Sequence, residues 1–268
     1  MYLKMKTPIT TSNWPRLTYI HYMSIRVASY NIRKCIGLDR KREPGRIADV
    51  LNGLGADVIA LQEADRRMGA RPAALPRALI ENETDFQIAP LAEGDDSLGW
   101  HGNALLLRDG VHIGGTARIE LPGLEPRGAV LAEIHGDRGS LRIVGVHLGL
   151  MRRHRQRQLD TIRTALAARE DMATVVLGDF NEWSADRGLE ALGTSMEVHA
   201  PGHSFHAARP IAALDRIALS RELTLEDAGV VETSLSRRAS DHLPIWADIS
   251  QPAPGPAPSK RAVSWILR

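Results

Sequence analysis

The sequence predicts an α/β domain of two packed sheets with helices on the outside. Three observations predict it. Short runs rich in Val, Ile and Ala recur along the chain, several of them are apolar on both faces, and two stretches between them carry helical spacing. A strand that is apolar on both faces has to be covered on both sides, which a sheet with one solvated face does not provide.

Taken in order, IRVASYN (residues 25–31) reads as the first strand. PGRIADVLNGLG (44–55) reads as a helix: Ile47, Val50, Leu51 and Leu54 share one stripe, and Gly55 supplies the C-terminal stop. DVIALQE (57–63), NALLLR (103–108), AVLAEI (129–134) and LRIVGVH (141–147) follow as strands. A second helix is expected from Gln156 to Arg169, with Leu159, Ile162 and Leu166 on one face. ATVVLGD (173–179), DRIALS (215–220) and PIWADI (244–249) complete the strands.

With 268 residues and 43% apolar content, one sizeable core and one domain are expected. The formal charge of +2 comes almost wholly from arginine and makes the surface only mildly basic. The single cysteine, Cys35, cannot form an internal disulfide, which fits a reducing compartment and points to the cytoplasm. No run of 18 apolar residues is present, so no transmembrane segment is predicted. Residues 1–22 lack the apolar stretch and cleavage site of a secretory signal, and the periodic pattern starts after them. They are expected to form a disordered leader ahead of a domain at 23–250. The Pro/Ala-rich stretch that opens residues 251–268 cannot build a core and reads as a tail.

Asn31, Glu63, His147 and Asp179 each fall at the C-terminal end of an apolar run, and Asp215 opens one. In the segment LGDFNEW (177–183), residues two apart share a face, so Asp179 and Asn181 point together while Phe180 turns to the core. An Asp, an Asn and a Glu at one rim offer the hard oxygen ligands that Mg²⁺ takes, with positions left for water and substrate phosphate. In SDHLP (240–244), Pro244 disfavours a regular strand, so a loop can turn Asp241 and His242 toward one site. Asp215 is the candidate carboxylate that fixes the tautomer of His242. Together these groups suit hydrolysis of a phosphate ester.

Taken singly, each of these residues has a plainer role. An Asp before a Gly- or Pro-containing turn is usually a cap, and His147 alone is a strand-end core histidine. His101, His154, His199, His203 and His206 read as ordinary loop or surface residues. GHSFH (202–206) lacks the last Gly and the preceding strand of a nucleophile elbow, and NGLGAD ends a helix instead of opening one. The basic run MRRHRQRQ (151–158) reads first as a solvated helix face and second as an electrostatic dock for an anionic substrate. Nucleic-acid binding is not favoured, because it usually brings a larger basic footprint and stacking aromatics, and aromatics are 4% here.

In their order along the chain, SYNI, LQE, GNALL, PRGA, VHL, GDFN, LDRI and SDHLP resemble the motifs of the endonuclease/exonuclease/phosphatase superfamily, relatives of deoxyribonuclease I, exonuclease III and the sphingomyelinases. The resemblance covers about residues 24–250. It implies a four-layer α/β sandwich, with two mostly antiparallel sheets covered by helices. It also implies a metal-dependent phosphoesterase, a phosphodiesterase ahead of a phosphatase, that works by attack of activated water at phosphorus. Glu63 would be the principal metal ligand, with Asn31 and Asp241 completing or supporting the shell, and Mg²⁺ the cofactor with Mn²⁺ as the alternative. Asp179 would orient or deprotonate the water, and Asn181 would hold a phosphate oxygen. His242, paired to Asp215, would contact the phosphate or act as base. His147 would stabilise or protonate the leaving side, and Arg127 in EPRGAV lies where relatives often place a phosphate-facing group.

Departures from the family pattern narrow the substrate. Abasic-site endonucleases commonly carry an acidic residue two places after the first-strand Asn, where this chain has Arg33. Only residues 182–214 separate Asn181 from Asp215, which leaves little room for a DNA-inserting loop. The absence of disulfides and of an export signal also counts against a secreted nuclease or toxin-like sphingomyelinase. A nucleotide, lipid headgroup or other small phosphoester is the expected substrate, with DNA endonuclease or exonuclease as the alternative. A non-catalytic binding module on the same fold is the second alternative, and the competent group at every matched motif position argues against it.

Overall fold

In the computed structural model, which describes residues 23–251 except 67, 68, 70, 137, 138, 185, 186 and 194, every run read as a strand forms one. The expected leader and residues 252–268 lie outside the described residues. The elements in chain order are β1 (Met23–Asn31), a one-turn segment at Arg33–Cys35, α1 (Pro44–Asn52), β2 (Val58–Gln62), α2 (Arg77–Glu83), β3 (Phe86–Ile88) and β4 (Ala104–Arg108). Then come β5 (His112–Leu121), β6 (Arg127–Gly136), β7 (Gly139–His147), α3 (Arg152–Ala167), β8 (Thr174–Asp179), α4 (Glu190–Gly193) and β9 (Met196–His199). The last are β10 (Asp215–Ser220), β11 (Thr224–Val230), α5 (Ser236–Ala239) and β12 (Ile245–Gln251).

The strands form two six-stranded sheets, ordered β11-β12-β1-β2-β4-β3 and β5-β6-β7-β8-β10-β9. Each is antiparallel except for one central parallel pair, β1–β2 in the first and β7–β8 in the second. A parallel pair needs a crossover, and helices α1 and α3 supply the two. The sheets therefore repeat one plan, a helix-linked parallel pair flanked by antiparallel strands. The first sheet is discontinuous in sequence: β12 arrives last and pairs with β1, bringing Met23 opposite Gln251. Gln251 thus belongs to the last strand and not to the tail.

Alternate residues of each central strand serve two cores, which is why these strands read as apolar on both faces. Val58 and Ala60 of β2 face the other sheet, while Ile59 and Leu61 pack under α1 and α2. Likewise Val175 and Leu177 of β8 enter the shared core, and Val176 packs with Leu159 and Ile162 of α3. The sheets approach closely at Gly145 of β7, where a side-chain carbon would stand 3.1 Å from Val130 and 3.2 Å from Leu105 of the first sheet.

Both anticipated helices form with shifted ends. Helix α1 stops at Asn52, and the chain reverses at Gly55, whose φ of +60° an L side chain rarely adopts. Helix α3 begins at Arg152, ahead of the expected Gln156, because its first turn is polar and charged and carries no apolar stripe.

Candidate active site

Register builds the site. Parallel pairing of β7 and β8 sets His147 beside Asp179, and antiparallel pairing of β8 and β10 sets Asp215 on the other side of Asp179. Three chemically competent residues thus form one row across adjacent strands. In the first sheet Asn31 ends β1 beside Gln62, and Glu63 follows directly. Both central parallel pairs present their carboxyl ends at the same rim, the edge where open α/β sheets usually bind ligands. The two halves meet where Asn31 Nδ2 donates to Asp179 Oδ2 at 3.0 Å.

Asp179 is the hub. Its Oδ1 accepts the Asn181 backbone N–H at 2.9 Å. Around Oδ2 stand Asn31, His147 Nε2 at 3.3 Å and His242 Nε2 at 3.7 Å. Burial dominates its titration and raises the carboxyl above the usual carboxylate range; the Asp215 charge pushes the same way, against His242 and the Asn31 and Asn181 donors. His242 shifts upward too. Burial disfavours its charged form, and the Asp215 and Asp179 carboxylates outweigh that penalty. His242 Nδ1 lies 2.8 Å from Asp215 Oδ2, the same oxygen that accepts the buried Ser204 hydroxyl at 2.5 Å. The expected His242–Asp215 pairing is therefore present, and the serine of GHSFH, no nucleophile, orients its carboxylate.

Segments leaving the site strands adopt left-handed backbone. Arg33, Lys34, Cys35, Glu63, His101 and Asn181 all have φ between 45° and 60°. Such conformations disfavour L side chains, and clusters of them mark functional sites. After Asn31 the reversal sends Lys34 to form an ion pair with Glu63, while Arg33 Nε lies 3.2 Å from Asp241 Oδ2. Ser240 anchors the Asp241 loop by donating to the Asn31 carbonyl at 2.7 Å.

Two donor sets could hold a metal ion. Asp179, Asp215 and His242 bring ligand atoms within 4.8 Å of one another. They are deeply buried, and His242 Nδ1 is already engaged by Asp215, so this trio suits proton handling better. Glu63 and Asp241 each have a side-chain cation at hydrogen-bonding distance, standing where a divalent ion would offset the same charge. Their hard oxygens fit Mg²⁺. Asn31 Oδ1 accepts the Arg33 N–H at 3.1 Å and keeps a second lone pair.

A cleft of about 130 Å³ opens next to this hub, lined among others by Lys34, Glu63, Arg71, His101, Arg127 and His147. Arg127, at the start of β6, is fixed by Glu125 at 2.8 Å, so its guanidinium reaches the cleft already paired. His101 is not the ordinary loop residue expected. Its Nδ1 lies 2.7 Å from Arg71, and burial, then the Arg71 cation, lowers its pKa against the pull of Glu93 and Glu120. On the other flank Phe205 lies 5.0 Å from the His242 ring, and Trp183 meets Phe205 edge-on at 6.0 Å.

A structural clamp stands beside this row. Glu182 of LGDFNEW offers no ligand to the rim: its side chain is 1% exposed and binds Arg152 at 2.9 Å and Arg155 at 2.6 Å. Burial would raise this carboxyl, but the two arginines hold it down to about 2. Part of the basic run is correspondingly taken up in structure, since Arg155 is buried and donates to the Gly149 and Leu150 carbonyls, while Arg153 and Arg157 remain exposed. This clamp binds the loop after β7 to the loop after β8, and Asn181 Nδ2 closes it on the Leu148 carbonyl at 2.9 Å. The alternation of Arg152 and Arg155 on one helix face was its only sequence signal.

Comparison with known proteins identifies the fold and the family. Over 245 residues the chain is 26% identical to the uncharacterized protein YbhP of Escherichia coli K12, a match spanning 84% of this chain and 96% of that protein. The crystal structure of an endonuclease/exonuclease/phosphatase from Bacteroides vulgatus superposes with a TM-score of 0.69 at 18% identity, covering 85% of this chain and 99% of that one. The mannosyl-6-phosphatase Bt3783 of Bacteroides thetaiotaomicron gives 0.68 at 17% identity, covering 84% and 99%. The model of the Endonuclease/Exonuclease/phosphatase family matches residues 28–242, from the strand that carries Asn31 to the loop that carries His242, and the chain belongs to that family.

Proposed function

We propose that this protein is a divalent-cation-dependent phosphoesterase that hydrolyses a phosphodiester by attack of water at phosphorus. The observation that carries this reading is the Asp179 carboxylate, nearly devoid of solvent, raised in pKa, and ringed at Oδ2 by Asn31, His147 and His242 from both sheets. A base works best with a pKa near the working pH, and burial moves Asp179 in that direction. Asp179 takes the proton of the attacking water. Charged His242, held at Nδ1 by Asp215, offers its Nε2 proton to a phosphoryl oxygen. Asn181 spends one amide hydrogen on Leu148 and has the other for the phosphate. His147, next to Asp179 in the row, protonates the leaving oxygen, and Arg127 and Lys34 supply positive charge along the cleft. A divalent cation held by Glu63 and Asp241, with Asn31 beside them, would act as a Lewis acid toward the phosphoryl group.

Family membership supports hydrolysis of phosphoesters, and the Bacteroides thetaiotaomicron neighbour is itself a phosphatase. The lone cysteine, Cys35, is free and buried, so no internal disulfide forms, and the cytoplasm is the proposed location. No helix among the described residues is long and apolar enough to cross a membrane. Turnover of bis(p-nitrophenyl) phosphate tests the reading: it should vanish with chelator and return with Mg²⁺ or Mn²⁺. Undiminished turnover in excess chelator overturns it.

A further inference from the structure

The large apolar side chains that stand exposed among the described residues are Leu124, Leu150, Met151, Trp183 and Ile211, between 46% and 78% accessible. All five lie on loops at the catalytic end of the second sheet. Single exposed apolar residues scattered over a surface are ordinary; a series confined to one rim is not.

Hydrogen bonds tie these loops together in sequence. Gln158 accepts the Gly149 N–H at 2.8 Å and donates to the Pro122 carbonyl at 3.0 Å, which sets the Leu124 hairpin beside the loop of Leu150 and Met151. Arg155 bonds the Leu150 carbonyl and Glu182, both at 2.6 Å, which brings Trp183 next in line. Trp183 meets Phe205 edge-on, and Phe205 accepts the Ile211 N–H at 2.8 Å. The result is an apolar arc held round His147, Asn181 and His242. Two of its stretches carry positive charge left unpaired among the described residues: of the four arginines in residues 148–158 only Arg152 and Arg155 are bound to Glu182, and residues 200–213 hold Arg209 and no acid. The Leu124 hairpin adds Glu125, which is paired to Arg127. Arg153, Arg157 and Arg209 are exposed.

From this geometry we infer that the arc seats the catalytic mouth on an anionic lipid surface, so that the phosphoester cleaved there is carried by an amphiphile. Four of the five side chains are aliphatic, which favours acyl chains over stacked bases. A tryptophan suits the boundary between the two media, and the adjacent arginines meet the anionic headgroups. The substrate class rests on the reaction proposed above, whereas the docking itself does not.

Flotation of the full-length chain with vesicles tests the docking, using phosphatidylcholine alone and phosphatidylcholine mixed with phosphatidylglycerol in equal parts. The protein should float with the mixed vesicles, less with phosphatidylcholine, and less at high salt. Leu150→Asp and Ile211→Asp should each lower partitioning by about tenfold, the weight of one apolar side chain kept out of the interface. Neither should alter the melting temperature or turnover of bis(p-nitrophenyl) phosphate. Absent flotation, or flotation unchanged in both variants, overturns the inference. So does a dimer in sedimentation that the variants dissociate, or a loss of single-stranded DNA binding with vesicle binding intact. If variant-sensitive flotation occurs while every phosphoester tested stays intact, the docking stands and the proposed reaction falls.

Discussion

At the scale of single residues, the proposed mechanism divides the work between Asp179 as base and Glu63 as metal ligand, and substitution separates them. Asp179→Asn keeps size and most hydrogen bonds but removes the charge that accepts the proton. Turnover should fall by ~10²- to 10⁴-fold, the usual contribution of a general base, while metal affinity in calorimetric titration changes little. Glu63→Gln should weaken metal binding, with part of the rate restored by excess Mg²⁺. Near-full activity in Asp179→Asn, or loss of metal as severe as in Glu63→Gln, would show that the roles are assigned wrongly. The meeting of these positions at one rim was legible because several polar residues end apolar runs together, although each taken singly has a plainer role. Lys34, Ser204 and Glu182 were not, because their partners Glu63, Asp215 and Arg155 lie between 11 and 29 residues away and only the fold selects them.

At the scale of elements, the Glu182 clamp joins α3 to the loop that carries Asn181. Arg155→Met breaks a buried pair, which costs ~3 kcal/mol when one partner is left behind; Arg152 still holds Glu182, so the low end of the usual range applies. Urea unfolding should report that loss, and adding Glu182→Gln should recover part of it. The clamp also carries a pH signature. Because the folded carboxyl sits at about 2, below its ordinary 4.5, its contribution is complete above that ordinary value and is lost as pH falls through about 2. The stability gap between the parent and Glu182→Gln should therefore be flat above about pH 5 and close as pH falls toward 2. A gap that widens on acidification contradicts the assignment. The strands that the sequence did not disclose, β3, β5, β9 and β11, are the four outer strands of the two sheets. An outer strand is covered incompletely and has less need of a continuous apolar run: β5 alternates exposed and half-covered residues over most of its length, and β11 is largely open. The short helices α2, α4 and α5 are too brief to show a periodic stripe.

At the scale of the whole molecule, the site depends on how far apart the two sheets stand, because Asn31 belongs to one and Asp179 to the other. Gly145 keeps them close. Gly145→Val would force its methyl groups against Val130, Leu105 and Ala60, and overpacking of this kind costs ~1–3 kcal/mol. The expected outcome is a lower melting temperature together with a fall in kcat larger than the lost stability explains, since the Asn31–Asp179 bond would lengthen. A fall in stability with kcat intact would show that the hub tolerates the displacement. The position of β12 has another consequence, one of timing. A ribosome releases β1 early, and one flank of that strand stays open until almost the whole domain has been made, because its neighbour is the last strand among the described residues. Asp241 and His242 emerge in the same late interval. The nascent protein therefore carries an unsatisfied strand and an incomplete site until β12 has been made, and a chain stopped at Ser220 should be found with chaperones or in aggregates, inactive.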